Sequence, residues 1–321
     1  MDNPQSPNND TAWERKVLEK LAFAALDEQR ARRRWGSFFK ALGFVYLLVV
    51  LIAVVDWGSG AEHQSPHTAM VNLTGVIEAK GEANAENLVA ALNSAFEEKN
   101  AVGVILRINS PGGSPVQAGI VNDEIRRLRG KFPDKPLYAV VEDMCASGGY
   151  YVAAAADNIY VNKASIVGSI GVLMDGFGFT GAMDKVGVER RLLTAGENKG
   201  FLDPFSPQAA QHKAHAQLLL DDIHKQFIDV VKTGRGKRLK ETPEMFSGLM
   251  WTGAQSIQLG LADDYGSVDS VARDVIKAEK VLDYSVQDNI AERFAKRLGA
   301  STFAGFWKGF SESALGSVRL R

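Results

Sequence analysis

Residues 137–156 read LYAVVEDMCASGGYYVAAAA, and this stretch predicts a strand, a tight turn and a helix in succession. Residues 137–141 form a short apolar run rich in β-formers, which is typical of a buried strand. Two glycines permit the turn, and residues 149–156 predict the helix. Ser147 therefore lies at the amino end of a helix, where the helix dipole stabilises a developing negative charge. Taken alone, a serine in this place is more often only a helix cap.

A second strand-to-helix turn with two glycines lies at residues 108–114, INSPGGS. Ser114 predicts a helix N-cap, with Pro115 at the first helical position. The backbone N–H groups of Gly112 and Gly113 are left uncovered, and such donors suit an oxyanion or a phosphate. Because an oxyanion hole commonly takes one N–H from each of two loops, two such turns favour a catalytic role. The helix is expected to bury Val116, Ile120, Val121, Ile125 and Leu128.

Strands and helices alternate along most of the chain. Strands are predicted at residues 71–77, 102–108, 137–141, 159–161, 166–174 and 190–193. Helices are predicted at residues 85–98, 114–129, 149–156 and 209–233. This alternation predicts an α/β domain with a largely parallel sheet.

A serine nucleophile needs a base, and the histidines are poorly placed for that role. The five histidines are His63, His67, His212, His215 and His224. Two fall in a polar linker and three in one polar helical stretch, which argues against a Ser/His/Asp triad. A partly buried lysine is the other established base. Lys199 follows a predicted strand and has apolar neighbours, although these residues alone favour an exposed loop lysine.

The composition excludes several other classes of protein. Apolar residues make up 45% of the 321 residues and charged residues 23%, as in a chain with a full core. The formal net charge of -1 argues against a nucleic-acid partner. The single cysteine, Cys145, rules out an intramolecular disulfide, and no Cys/His pattern predicts a metal site. Cys145 is a weak alternative nucleophile because nothing near it would stabilise a thiolate.

An apolar segment near the amino terminus predicts a membrane anchor. Residues 45–55 read VYLLVVLIAVV, with Trp35 and Trp57 placed as interfacial anchors. Four arginines between residues 30 and 34 predict a cytoplasmic amino terminus and an exported carboxy-terminal domain. A cleaved signal peptide and a buried core helix are the alternatives. A signal peptide is disfavoured because the apolar run begins far from Met1 and no small-residue cleavage site follows it.

These patterns divide the chain into five segments. They are a cytoplasmic segment (1–34), a transmembrane anchor (35–57), a linker (58–69), a catalytic domain (70–283) and a helical or flexible tail (284–321).

Four motifs in this order and spacing resemble the bacterial signal peptide peptidase A family, in its short, single-copy, membrane-anchored form. They are NSPGG at 109–113, ASGGYY at 146–151, GSIGV at 168–172 and GENK at 196–199. WTGAQ at 251–255 and LGLAD at 259–263 are also similar to that family. The resemblance implies a ClpP/crotonase-like fold. It also implies a homo-oligomeric ring or dome in which the catalytic dyad joins a serine and a lysine of neighbouring subunits.

The resemblance assigns a role to each residue of the expected site. Ser147 would be the nucleophile, Lys199 the general base, and Ser169 the group that orients the lysine. Gly113 and Gly148 would supply the oxyanion N–H groups, with Gly112 beside them.

The function implied is that of a membrane-anchored serine endopeptidase that needs no cofactor. Its substrates would be apolar peptides, chiefly signal peptides left after secretion and also misfolded proteins, at the periplasmic face of the bacterial inner membrane. A crotonase-like acyl-CoA enzyme is one alternative, disfavoured by an exported domain. A catalytically inactive membrane scaffold is the other.

Overall fold

The structure is a computed structural model that describes residues 10–62 and 65–286. It divides into two units, Met1–Ser65 and Pro66–Arg321, and the described part of the first is a single helix, α1 (Asp10–Glu62). This helix includes residues 58–62, which the sequence predicted as linker. No helix in the described part of the chain combines the length and the apolar character needed to cross a membrane, so the anchor at 35–57 stays a prediction. Most of the predicted tail, from residue 287 onward, lies outside the described residues.

The second unit is built around one mixed, mostly parallel sheet. Its strands are β1 (His67–Thr74), β2 (Ala101–Ser110), β3 (Leu137–Ala146), β4 (Asn158–Val161), β5 (Ile166–Gly168), β6 (Met250–Thr252), β7 (Asp264–Tyr265) and β8 (Val281–Asp283). Its helices are α2 (Ala85–Glu97), α3 (Pro115–Lys131), α4 (Gly148–Ala153), α5 (Thr180–Lys185), α6 (Ala210–Arg235), α7 (Gly253–Gln258) and α8 (Val268–Ser270).

The strand order is β6–β5–β3–β2–β1–β8, with only β5 and β6 antiparallel among the pairs described. The long strand β3 pairs with β4 along its first half and with β5 at its end, and β4 in turn pairs with β7. Helix α3 contacts both α2 and α4, and these two helices pack on the central strands β1, β2 and β3. The predicted α/β class with a largely parallel sheet is confirmed, and this architecture fits a ClpP/crotonase-like fold.

Two strand predictions were wrong, one in its length and one altogether. The strand predicted at 166–174 ends at Gly168, and residues 190–193 form no strand. The reason is that the segment from 171 to 209 runs mainly through exposed positions, with Leu193 97% exposed. An apolar run becomes a strand only where a neighbouring strand completes its backbone hydrogen bonds.

Helix α3 confirms its predicted cap but only part of its predicted core. The Ser114 side chain accepts the Gln117 N–H, and Pro115 begins the helix. Val121, Ile125 and Leu128 are buried as expected, together with Ala118 and Asn122. Val116 and Ile120 are exposed instead, by 68% and 47%. They lie on the face of the helix that borders an open cavity rather than on the face that packs against the sheet.

A buried ion pair fastens α6 to the turn before β7. The Arg235 guanidinium, 1% exposed, donates to both Asp263 carboxylate oxygens at 2.8 Å, and its Nε donates to the Gly260 carbonyl at 2.9 Å. One residue further on, the Leu261 carbonyl accepts a hydrogen bond from the buried Tyr150 hydroxyl at 2.7 Å. The pair therefore supports the turn on which α4 is anchored.

Candidate active site

Ser147 occupies the sharp turn between β3 and α4 in a strained backbone conformation. Its φ of 52° and ψ of −123° are rare for a residue other than glycine, and such strain is often found at active sites. Its N–H donates to the Gly168 carbonyl at 2.9 Å, which holds the turn in place. The half-buried side chain makes no capping hydrogen bond to α4, so the interpretation of Ser147 as a plain helix cap is not supported.

Ser169 lies beside Ser147 at the same edge of the sheet. Strands β3 and β5 run parallel, with Ala146 paired to Gly168, so the next residue of each strand is one of the two serines. Ser169 also has a positive φ, 51°, and its N–H donates to the Leu249 carbonyl at 2.8 Å. The structure thus brings together two of the three predicted catalytic residues.

The two glycine turns are in direct contact. A Cβ added to Gly112, whose φ is +98°, would lie 2.6 Å from both the Gly148 nitrogen and the Ser147 Cβ. A Cβ on Gly148 would lie 3.3 Å from the Gly113 nitrogen. Within residues 65–286, the N–H groups of Gly113 and Gly148 donate no hydrogen bond. Two free donors beside a serine side chain form the arrangement that stabilises the oxyanion of acyl transfer.

An open cavity of about 960 Å³ adjoins this site. Ser147, Ser169, Gly113 and Gly148 all line it. Most of the larger side chains around it are apolar, namely Val116, Ile120, Tyr151, Val172, Leu173, Ile223 and Phe227. This cavity was not predicted from the sequence, because α3 has apolar residues on two faces and all of them were assigned to the core. The contribution of α6 could not be read from local pattern, since it depends on how that helix packs against α4.

Lys199 does not reach this cavity within one chain. It lies exposed in a turn after residues 190–195, and its N–H donates to the Gly196 carbonyl at 3.1 Å. It is absent from the residues that line the Ser147 cavity. Phe201, one of the apolar neighbours of Lys199 in the sequence, packs edge-on against the rings of His212 and His215. In the single chain, Lys199 is therefore not among the groups that surround Ser147.

Neither a histidine nor the cysteine takes the place of the lysine. His224 follows the cavity-lining Ile223, but it does not itself line the cavity, and its Nε2 lies 3.1 Å from the Ile170 carbonyl oxygen. His63 lies outside the described residues. Cys145 is fully buried, and burial raises the pKa of its thiol far above the ordinary value, which disfavours a thiolate.

The chain is an α/β protein in which a strained serine lies beside two free backbone N–H groups, and comparison with known sequences gives its family. The sequence model of Peptidase family S49 matches residues 131–282. A candidate protease of Synechocystis is 32% identical over 199 residues, which cover 62% of this chain and 69% of that protein. The chain belongs to peptidase family S49, and the predicted membership in the signal peptide peptidase A family is confirmed.

Two further relatives show that the shared part is often a fragment of a longer protein. Protease 4 of Haemophilus influenzae is 32% identical over 235 residues, which are 70% of this chain and 37% of that protein. The Na(+)/H(+) antiporter NhaA of Brucella melitensis is 46% identical over 182 residues, which are 57% of this chain and 25% of that protein. Because the chain matches only a quarter of the Brucella protein, the name of that transporter assigns no function to this chain.

Proposed function

We propose that this chain is a serine endopeptidase in which Ser147 is the nucleophile. The observation that carries the proposal is the strained, uncapped Ser147 beside the free N–H groups of Gly113 and Gly148. The Ser147 oxygen attacks the peptide carbonyl carbon, and its proton passes to a neutral lysine amine. The two N–H groups hold the oxyanion that forms. The protonated lysine then gives its proton to the leaving amine, and water hydrolyses the acyl-enzyme.

The base in this mechanism is Lys199 of a neighbouring subunit, held by Ser169. Support comes from the exposed place of Lys199 outside the cavity of its own chain, and from Ser169 beside the nucleophile. The segment from 171 to 209, which carries Lys199, also has exposed apolar side chains, with Leu173 and Phe177 each 79% exposed. Exposed apolar groups of this number are typical of a protein–protein interface. Burial there would remove water from the amine and favour its basic, neutral form.

The substrates in this proposal are apolar peptides, in particular signal peptides left after secretion, and also misfolded proteins. The apolar lining of the cavity beside Ser147 supports this preference. Serine protease SPPA of the Arabidopsis chloroplast, 30% identical over 189 residues, supports the class of reaction. Two otherwise identical peptides should be cleaved at different rates, faster with leucine than with glutamate immediately before the scissile bond. Equal rates would contradict the apolar preference.

Labelling with a fluorophosphonate probe tests the nucleophile. The wild-type protein should form one covalent adduct, mapped by mass spectrometry to Ser147, and Ser147→Ala should form none and lose peptidase activity by about 10⁴-fold or more. Ser247→Ala is the matched control, because Ser247 lines the same cavity and has no role in the mechanism. Labelling that persists in Ser147→Ala, or that maps to another residue, would contradict the proposal. A crotonase-like enzyme or an inactive scaffold would give no adduct at all.

The membrane anchor belongs to the same proposal, with residues 35–57 spanning the bacterial inner membrane and the catalytic unit on the periplasmic side. Its support is the apolar run at 45–55 preceded by four arginines. The full chain should stay in the membrane pellet after alkaline carbonate washing, and a chain that begins at residue 66 should be soluble. Release of the full chain by carbonate would overturn the anchor without touching the peptidase assignment.

A further inference from the structure

A buried serine, Ser110, lies in the glycine turn at residues 108–114 and has no part in the proposed mechanism. Ser110 ends β2 and is 0% exposed. Its hydroxyl donates to the Gly75 carbonyl at 2.6 Å and accepts the Gly112 N–H at 3.2 Å. The one hydroxyl therefore connects the residue after β1 with the loop that carries the expected oxyanion donors, and its bond from Gly112 is buried.

The same serine also lies against the glycine turn that carries Ser147. A Cβ added to Gly149 would lie 3.2 Å from the Ser110 carbonyl oxygen and 3.4 Å from the Ser110 Cβ. Ser110 also pairs with Cys145 on β3, immediately after an irregularity in the strand register. Ser110 is thus in contact with both of the loops that meet at the nucleophile.

Its bonds act on the orientation of the Gly113 N–H. The peptide unit between Gly112 and Gly113 is planar, and its carbonyl accepts the Ile77 N–H at 2.8 Å. In a trans peptide the N–H points opposite to the carbonyl, so the Gly113 N–H is directed away from Ile77. The Ser110 hydroxyl fixes the preceding peptide unit through the Gly112 N–H. Together these bonds hold the two glycines at φ values of +98° and +148°.

We propose that Ser110 is a positioning residue for the oxyanion hole, acting through Gly112 on the Gly113 N–H. The inference rests on the proposed function, because it gives Ser110 a part in stabilising the tetrahedral intermediate of peptide hydrolysis. Misplacing a donor by a fraction of an ångström weakens transition-state stabilisation and leaves ground-state binding nearly unchanged.

The test is a kinetic comparison of three variants of the full-length protein. Ser110→Ala should lower kcat about 10- to 100-fold with little change in KM, since loss of one whole oxyanion donor costs about 100- to 1,000-fold. The affinity for a peptide aldehyde, whose serine adduct carries an oxyanion, should fall by the same factor as kcat/KM. Ser110→Cys keeps a donor and an acceptor at this position but forms weaker hydrogen bonds, and it should lie between alanine and wild type.

Ser165→Ala controls for a merely structural effect. Ser165 is also buried, 1% exposed, and its hydroxyl likewise accepts an N–H, from Asn162, and donates to a carbonyl, that of Glu142. This variant should lose a comparable amount of stability with an unchanged kcat. A wild-type kcat and aldehyde affinity in folded Ser110→Cys, or in folded Ser110→Ala, would overturn the inference. Persistent hydrolysis in Ser147→Ala would instead overturn the proposed function, so the two failures are distinguishable.

Discussion

Replacing Lys199 by alanine should lower peptide hydrolysis by about 1,000-fold or more while leaving the melting temperature unchanged. The loss follows from removing the general base that takes the Ser147 proton. The melting temperature of the single chain should not change because, within that chain, the lysine side chain is exposed and makes no hydrogen bond or ion pair among the described residues. Lys185→Ala is the matched control, since Lys185 is another exposed lysine, at the end of α5. Full activity in Lys199→Ala would exclude the dyad.

Co-expression of two inactive variants decides where the lysine comes from. If each site joins Ser147 of one subunit to Lys199 of the next, a one-to-one mixture of Ser147→Ala and Lys199→Ala chains restores both groups in about a quarter of the sites. Activity near that fraction of wild type is expected, although each variant alone is inactive. A mixed assembly that stays inactive would assign both groups to one chain and require the segment around Lys199 to move.

Replacing Arg235 by methionine should destabilise the catalytic unit by about 3 kcal/mol, the low end of the cost of breaking a buried ion pair, because Arg238 still reaches the Asp263 carboxylate at 3.2 Å. Denaturant unfolding measures the change. Arg273→Met is the control, because Arg273 pairs with Asp274 at the surface and such pairs contribute about 0–1 kcal/mol. A loss below about 1 kcal/mol in Arg235→Met would show that the pair between α6 and the β7 turn contributes little.

The same pair predicts how stability depends on pH. Burial alone would raise the pKa of Asp263, but the hydrogen bonds and charge of Arg235 outweigh burial and hold that pKa below its usual value. A carboxyl group with a lowered pKa in the folded state stabilises the fold above its unfolded pKa, about 3.9. That stabilisation is lost as the pH falls through the folded value. The stability difference between wild type and Asp263→Asn should therefore shrink as the pH falls below about 4.

The sequence predicted those parts of the fold that depend on interactions between residues close together in the chain. The helix cap at Ser114, the two glycine turns and the parallel sheet followed from residue type and spacing alone. The turn residues constrain the backbone locally, and alternating strands and helices admit few arrangements. The serine at 147 was therefore found from the sequence, and its neighbour at 169 through the family resemblance.

Other features depend on contacts between distant parts of the chain. Val116 and Ile120 have the same composition and helical spacing as core residues, and only the place of α6 shows that they border an open groove. The leucines near 193 form a strand-like run that finds no strand to pair with in the described residues. Ser110 carries no local signal for its role, because both of its hydrogen bonds depend on where the Gly75 carbonyl and the glycine loop meet.

The contact between the two glycine turns determines the stage of folding at which the site forms. Gly112 leaves no room for a side chain against Ser147 and Gly148, so each turn holds the other in its strained shape. Neither turn has that shape until the strands that carry them, β2 and β3, have paired. A chain still emerging from synthesis thus has its serine but no hole to stabilise an oxyanion. Any peptidase activity that depends on Ser147 would therefore have to wait until β2 and β3 have paired.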